Sequence, residues 1–287
     1  MNGKRENRGT EEAKKMGKEV RMTGSRRILT PASGYLSGYD YSLNPYAGCV
    51  FACSYCYVRA LPVALFRGKP WGDWVDVKQT AAEHLRKELR LAKRKGSTAI
   101  FMSSSTDPYQ PLEREHQITR SLLEAMTENP PDFLFVQTRS PLVVRDIDLL
   151  RRLGSGVRVS MTVETDLEPV RKAFTPKAPP IPDRLQALKR LKAAGVPVQA
   201  AVAPILPYSG EFPRLLSGAV DIVCLDDFFM GDGSNGKRTE RLGIAGIFSA
   251  LGMQDWYDRT AYLKLKEQLA AFFPEDRIRI SRAGFMP

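Results

Sequence analysis

"GCVFACSYCYVRA", residues 48–60, places Cys49, Cys53 and Cys56 within eight positions of a chain that has only four cysteines. Thiols this close could bridge only with strain, and their number is odd, so they do not read as a disulfide framework. The N-terminus, "MNGKRENRGTEEAKKMGKEVRMTGSRR", is charged where a signal peptide carries its apolar core. Without a secretory context, a tight and odd cluster of thiols reads as a metal site. Three thiolates hold three corners of a cubane iron–sulfur cluster and leave its fourth iron open, because a closed cluster takes four. A structural zinc site also wants four ligands, usually as two spaced pairs. The candidates for a fourth ligand, Cys224 and His84, have no partner at such a spacing.

Around this loop the chain alternates. "YSLNPYAG" (41–48) is an extended run leading into the cysteines, and "VKQTAAEHLRKELRLAKRKG" (77–96) carries Ala81, Leu85, Leu89 and Ala92 at helical spacing. Strands are expected over 98–105, 132–140, 157–165, 196–205, "DIVCLDDF" and "RIRISRAG". Helices are expected between them, in "ITRSLLEAMTENP", "RDIDLLRRLG", "RLQALKRLKAAG", near 211–217 and around 257–272. Strands that alternate with helices pair in parallel through right-handed crossovers. Six or seven such units predict an α/β fold, an incomplete parallel (β/α) barrel. A doubly wound dinucleotide fold would carry G-x-G-x-x-G after its first strand, where this chain carries cysteines. Residues 1–35, poor in apolar period, are expected to form a basic, flexible extension, and residues 36–287 a single domain.

The composition is that of an ordinary globular chain, with 43% hydrophobic and 26% charged residues in 287. No apolar run approaches the roughly 20 residues that span a bilayer, so a cytoplasmic protein without membrane contact is expected. The balance of 43 Lys and Arg against 32 Asp and Glu, a net charge of +11, keeps a polyanion such as nucleic acid open as a partner. Part of that excess lies in the N-terminal tail, where it would simply solvate an extended arm.

The spacing Cys-x3-Cys-x2-Cys, with Tyr55 just before the last cysteine, resembles the signature of the radical S-adenosylmethionine (SAM) superfamily. The resemblance runs from about residue 40 onward and is closest to its spore photoproduct lyase-like branch. It rests on "NPYAGCVFACSYCYVRA", "SSSTDPYQP", "TRS" and "SMTVET". It implies a [4Fe-4S] cluster held by Cys49, Cys53 and Cys56, and SAM bound at the open iron. Reductive cleavage of SAM would give a 5′-deoxyadenosyl radical that abstracts a hydrogen atom from substrate. An electron donor such as flavodoxin or ferredoxin would be a partner. By position, Tyr55 matches the aromatic residue near the adenine and Thr106 a cofactor-binding hydroxyl. Arg139 matches the basic residue for the cofactor carboxylate, and Ser160 a second hydroxyl ligand. One departure stands out. The photoproduct lyase has a hydrogen-donating cysteine near the end of its second strand, where this chain reads "FMSSSTD".

Cys224 in "DIVCLDD" would point either into the barrel or into the outer apolar layer, and inert packing is the favoured role. Trp71 and Trp74 suit base stacking or loop anchoring, and Tyr57 either faces substrate or fills space. Asp226 and Asp227 end a strand at the expected active face and suit a substrate or a capping role. His84 reads as solvated, and His116 as a loop residue without a partner. Two classes of function remain: a radical SAM enzyme, or a nucleic-acid-binding protein with a structural or redox-sensing cluster.

Overall fold

The strands alternate so cleanly between two environments that the architecture follows from their side chains. In this computed structural model, which describes residues 17–24, 27–230 and 234–287, one sheet has eight strands. They are β2 (Leu29–Pro31), β3 (Tyr41–Leu43), β6 (Ala99–Met102), β7 (Phe133–Thr138), β8 (Val157–Thr162), β9 (Val198–Val202), β10 (Val223–Leu225) and β11 (Ile278–Ile280). Their order is β11-β10-β9-β8-β7-β6-β3-β2, parallel throughout except for the antiparallel pair β2–β3. The ends do not meet, and the curved sheet is an incomplete barrel. A second sheet joins β1 (Glu19–Thr23), β5 (Trp74–Lys78) and β4 (Tyr46–Ala47) in the order β1-β5-β4.

Residues two apart along a strand share a face. Ile100, Met102, Leu134, Val136, Val159, Met161, Ala200, Val202, Val223 and Leu225 face outward into one apolar core. That core is closed by helices such as Ala81–Lys93 and Ile118–Glu128, which bury Leu85 and Leu89, and Leu122 and Met126. Burying a side chain of this size is worth about 1.5–3 kcal/mol. The alternate positions face inward. Phe101 stacks on Phe135 at 5.0 Å there, with Tyr39 edge-on to Phe101 at 5.3 Å.

The segment Ser281–Phe285 closes this interior from the far end of the sequence. Gln199 donates to the Gly284 carbonyl at 2.9 Å and Tyr39 to the Phe285 carbonyl at 2.7 Å. Gly284 lies so close to Cys224 that an added Cβ would sit 2.1 Å from Sγ. Cys224 therefore points inward, fully buried beneath this segment rather than in the outer layer.

Several elements depart from expectation. Residues 1–16 and 25–26 lie outside the described residues. Within the stretch expected to be a flexible extension, however, Glu19–Thr23 pairs along all of β5 and Leu29–Pro31 pairs with β3. Glu88 accepts the Ile28 and Leu29 amides at 3.0 and 2.8 Å, which fixes that entry. The helix expected from residue 77 begins at Ala81, because Val77 and Lys78 belong to β5. Two helices, Lys237–Arg241 and Ile244–Ala250, precede the last one, Ala261–Leu269.

Candidate active site

The cysteine loop folds tightly because its neighbours allow no other path. Gly48 (φ +86°) lies where an added Cβ would meet the Trp74 carbonyl at 2.4 Å, and Gly72 (φ +101°) where it would meet the Ala52 Cβ at 2.3 Å. Side chains from elsewhere then fasten the backbone. Gln110 accepts the Val50 amide at 3.0 Å, and Thr106 donates to the Gly48 carbonyl at 2.6 Å. Arg59 reaches back to the carbonyls of Ala52 and Cys53 at 2.8 and 3.0 Å. Trp71 and Trp74 pack edge-to-face at 5.8 Å in the apolar cluster that supports the loop, so both anchor it.

The loop lines a cavity of about 360 Å³ whose other walls come from the C-terminal ends of the parallel strands. Ser103–Asp107 follow β6, Arg139 follows β7, and Pro204 and Asp226 follow β9 and β10. This is the end at which parallel β/α barrels place their chemistry. Cys49, Cys53 and Cys56 all line the cavity with free thiols, and Cys224 does not. Burial pushes the Cys49 thiol well up and the Cys53 thiol to about 11, with Arg139 pulling the latter the other way. Buried thiolates here call for positive charge beside them.

Among the described residues, no three His, Cys, Asp or Glu side chains converge as ligands of a single ion would. Thiols that each bind a different iron of a cubane need not converge, so three cavity-lining thiols without a fourth fit an open cluster better than a zinc ion. The cavity also holds buried polar atoms without a protein partner: Trp71 Nε1, Ser103 Oγ and Gln137 Oε1. Buried groups of this kind normally find a partner, and a polar cofactor would supply one.

Opposite the loop, Arg139 donates to Glu164 at 2.5 Å and to the Tyr55 hydroxyl at 3.1 Å, while Tyr55 itself donates to Glu164. Arg184, fully buried, donates to the other Glu164 oxygen at 2.6 Å. Burial alone would raise the Glu164 carboxyl, but the guanidiniums of Arg184 and Arg139 hold it down at about 2. Asp107 clamps the end of β7, accepting from Thr138 Oγ1 at 2.8 Å and from the Arg139 amide at 2.9 Å. Asp226 lines the far wall beside Tyr35, whose hydroxyl donates to it at 3.3 Å, and burial pushes its carboxyl up to about 7. Asp227 instead caps the next turn, accepting the amides of Phe229 and Met230 at 2.7 and 2.5 Å.

Tyr55, Thr106 and Arg139, which the resemblance matched to cofactor contacts, all line the cavity. Ser160 does not: it faces inward one layer deeper, buried and bonded by Gln199 at 3.1 Å, and Thr162 takes the place at the cavity wall. Tyr57 lines the cavity and donates to the Ser104 carbonyl. His84 and His116 lie on helices away from it. Gln137, Tyr35, Phe285 and the Glu164–Arg184 pair were not singled out in the sequence. Glu164 alone left a signal, as a carboxylate two residues past the end of the strand Val157–Thr162.

With this geometry in place, comparison with known proteins decides the family. The radical SAM superfamily model matches residues 43–212. The chain belongs to the radical SAM superfamily. An uncharacterized protein of Methanocaldococcus jannaschii is 33% identical over 66% of the chain and 68% of its own length. An uncharacterized protein of Acidianus two-tailed virus is 33% identical over 58% of the chain and 56% of its own length. A radical SAM Nα-GlyT isomerase of Pseudomonas phage M6 is 28% identical over 67% of the chain, but over only 36% of that enzyme. Among solved structures, a spore photoproduct lyase complexed with dinucleoside spore photoproduct superposes with a TM-score of 0.62 at 16% identity. That match covers 91% of this chain and 81% of the lyase, and it shows the shared incomplete-barrel fold of this radical SAM chain. Among the described residues, no helix is long and apolar enough to cross a membrane.

Proposed function

We propose that this radical SAM protein is an enzyme that cleaves SAM reductively and abstracts a hydrogen atom from a nucleic-acid substrate. When bound, a [4Fe-4S] cluster with SAM supplies a 5′-deoxyadenosyl radical for that step. The observation that carries the reading is the shared cavity. Three free thiols, an arginine and three unpartnered polar atoms face the same space as Asp226 and Tyr35.

The chain's own residues divide the work. Cys49, Cys53 and Cys56 would hold the cluster, and the fastened loop keeps them in place. Arg139 would meet the cofactor carboxylate, with Glu164 orienting its guanidinium and Tyr55 packing beside it. Trp71 and Gln137 would satisfy polar groups of the cofactor, and the mostly apolar lining would exclude water. Asp226, whose carboxyl takes up a proton near neutral pH, would both donate to and accept from a base edge. A structural cluster is the weaker reading, because it would need a fourth protein ligand and Cys224 lies outside the cavity.

The nucleic-acid substrate rests on the net charge of +11 and on the class of molecule in the superposed lyase complex. It is tested by fluorescence anisotropy with labelled single- and double-stranded oligonucleotides. Log affinity should fall linearly with log salt as counterions are released. No binding at low salt would overturn this substrate class. Turnover on the thymine photoproduct itself should be negligible, because Ser103, Ser104 and Ser105 stand where the lyase has its donor thiol. Efficient multiple turnover would contradict that.

A further inference from the structure

Among the described residues, two cations line the cavity, Arg139 and Arg238. Arg139 is bonded to Glu164 and Tyr55 and belongs to the cofactor side. Arg238 stands elsewhere, on the short helix Lys237–Arg241, which packs on residues 57–60 just after the last cavity thiol. Burial pushes the Tyr57 hydroxyl up, and the Arg238 guanidinium pulls it the other way, so the two side chains share one wall. Lys237 and Glu240 on the same helix are exposed and Arg238 is half-buried. This wall is therefore the rim of the cavity.

The backbone that carries Arg238 is firmly fixed. Gly236 (φ +88°) lies where an added Cβ would meet the Phe229 ring at 2.6 Å, so the turn before the helix is pressed against that ring. Arg259 lies over the same ring at 4.4 Å and donates to Asn235 Oδ1 at 2.6 Å. Ser234 Oγ accepts the Arg238 amide at 2.9 Å, and the buried Thr239 donates to the Gly236 carbonyl at 2.9 Å. Fixing the chain on both sides of a long side chain lowers the entropy it loses when it binds a ligand.

We infer that Arg238 binds a backbone phosphate of the nucleic-acid strand at the rim of the cavity, while the adjoining base enters it. The inference rests on the nucleic-acid reading proposed above and adds what the net charge of +11 does not supply, a place for the phosphate. An ionised phosphate is costly to bury, so it stays at the mouth, where the planar guanidinium matches two of its oxygens. The base meets the interior, where Phe101 and Phe285 line the cavity with Asp226. A phosphate contact positions the strand without reading its sequence.

The test uses the full chain, short labelled strands of oligo-dT and oligo-dA, and the variants Arg238→Ala, Arg238→Gln, Arg238→Lys and Lys237→Ala. Arg238→Ala and Arg238→Gln should weaken binding to both strands by about ten- to a hundred-fold at low salt. The slope of log affinity against log salt should become shallower by about 0.7, the share of one phosphate contact on a single strand. Arg238→Lys keeps the charge without the fork and should lose less. Lys237→Ala removes the same charge from the exposed side of the helix and should change affinity by less than about twofold. Neutral methylphosphonate linkages should cost the native protein more than they cost Arg238→Ala, which has already lost one contact. Iron content and SAM affinity of Arg238→Ala should match the native protein. Equal losses in Lys237→Ala and Arg238→Ala would mean diffuse charge and would overturn the inference. So would unchanged affinity and slope in both Arg238→Ala and Arg238→Gln, a loss confined to one of the two strands, or a fall in SAM affinity. If the native protein binds neither strand at low salt, the nucleic-acid reading itself fails and takes this inference with it.

Discussion

On one side of the cavity, residues 49–56 supply three thiols and Tyr55, and Arg59 ties the loop to itself. On the other side, Tyr35, Asp226 and Phe285 meet from the two ends and the last third of the chain. The first wall is a local motif, set by two close-packed glycines and braced from outside by Gln110 and Thr106. The second exists only once the barrel has curled and Ser281–Phe285 has entered it. The difference teaches where each kind of specificity is stored: cofactor chemistry in a short stretch, and the fit of a second molecule in long-range packing.

The sharpest way to break this comparison is at the thiols. Cys53→Ala should abolish the cluster, and iron content should drop to background. Cys224→Ala should leave iron content unchanged, because that thiol lies beneath Gly284 and outside the cavity. Full iron in the Cys53 variant would erase the distinction between the two.

A second test strikes the charge network behind Arg139. Replacing Arg184 with Leu leaves Glu164 with a single guanidinium partner, and removal of one member of a buried pair costs about 3–5 kcal/mol. Urea unfolding at pH 7 should show that loss. Glu164 is held at about 2 when folded, below its unfolded value, so its stabilising effect is present at neutral pH. The difference between native and variant should shrink as pH falls below about 4 toward 2. A pH-independent difference would mean that lost packing, not charge, is responsible.

The far wall titrates in the opposite sense. Asp226 is held up at about 7, above its unfolded value, so the folded chain gains protons there between about pH 4 and 7 and loses stability as pH rises through that range. Asp226→Asn should therefore gain on the native protein between pH 5 and pH 8, on the order of 2–3 kcal/mol. A constant difference across that range would remove Asp226 as the titrating group of this wall.

The smallest effect is expected at the join between the walls. Arg139→Ala should weaken SAM binding by ten- to a hundred-fold without lowering iron content, as loss of a charge-assisted hydrogen bond worth about 1.5–3 kcal/mol. Equilibrium binding to the reconstituted protein measures it, and unchanged affinity rejects the role.

The same contrast explains what could be read from the sequence. Cys49, Cys53, Cys56 and Tyr55 were legible because their spacing is the chemistry. Thr106 and Arg139 were legible only through the family resemblance, which matched them by position at strand ends. Ser160 failed by one layer: its inward direction followed from alternation, but its depth depends on how far each strand runs before the cavity opens. Tyr35 and Phe285 were illegible, since nothing local says that residues 250 apart will pack together, here as tilted rings with centroids at 6.1 Å. Glu19–Thr23 was hidden in a charged stretch because its partner β5 lies far along the chain, beyond the reach of periodicity.

The central claim is that three thiols hold an open cluster at which SAM is cleaved. Anaerobic reconstitution followed by dithionite reduction in the presence of SAM tests it most directly, with iron, methionine and 5′-deoxyadenosine measured together. The account predicts about four irons per chain, the number in one cubane, and formation of 5′-deoxyadenosine and methionine in equal amounts. A chain that binds about one zinc ion, or about four irons without cleaving SAM, would contradict it.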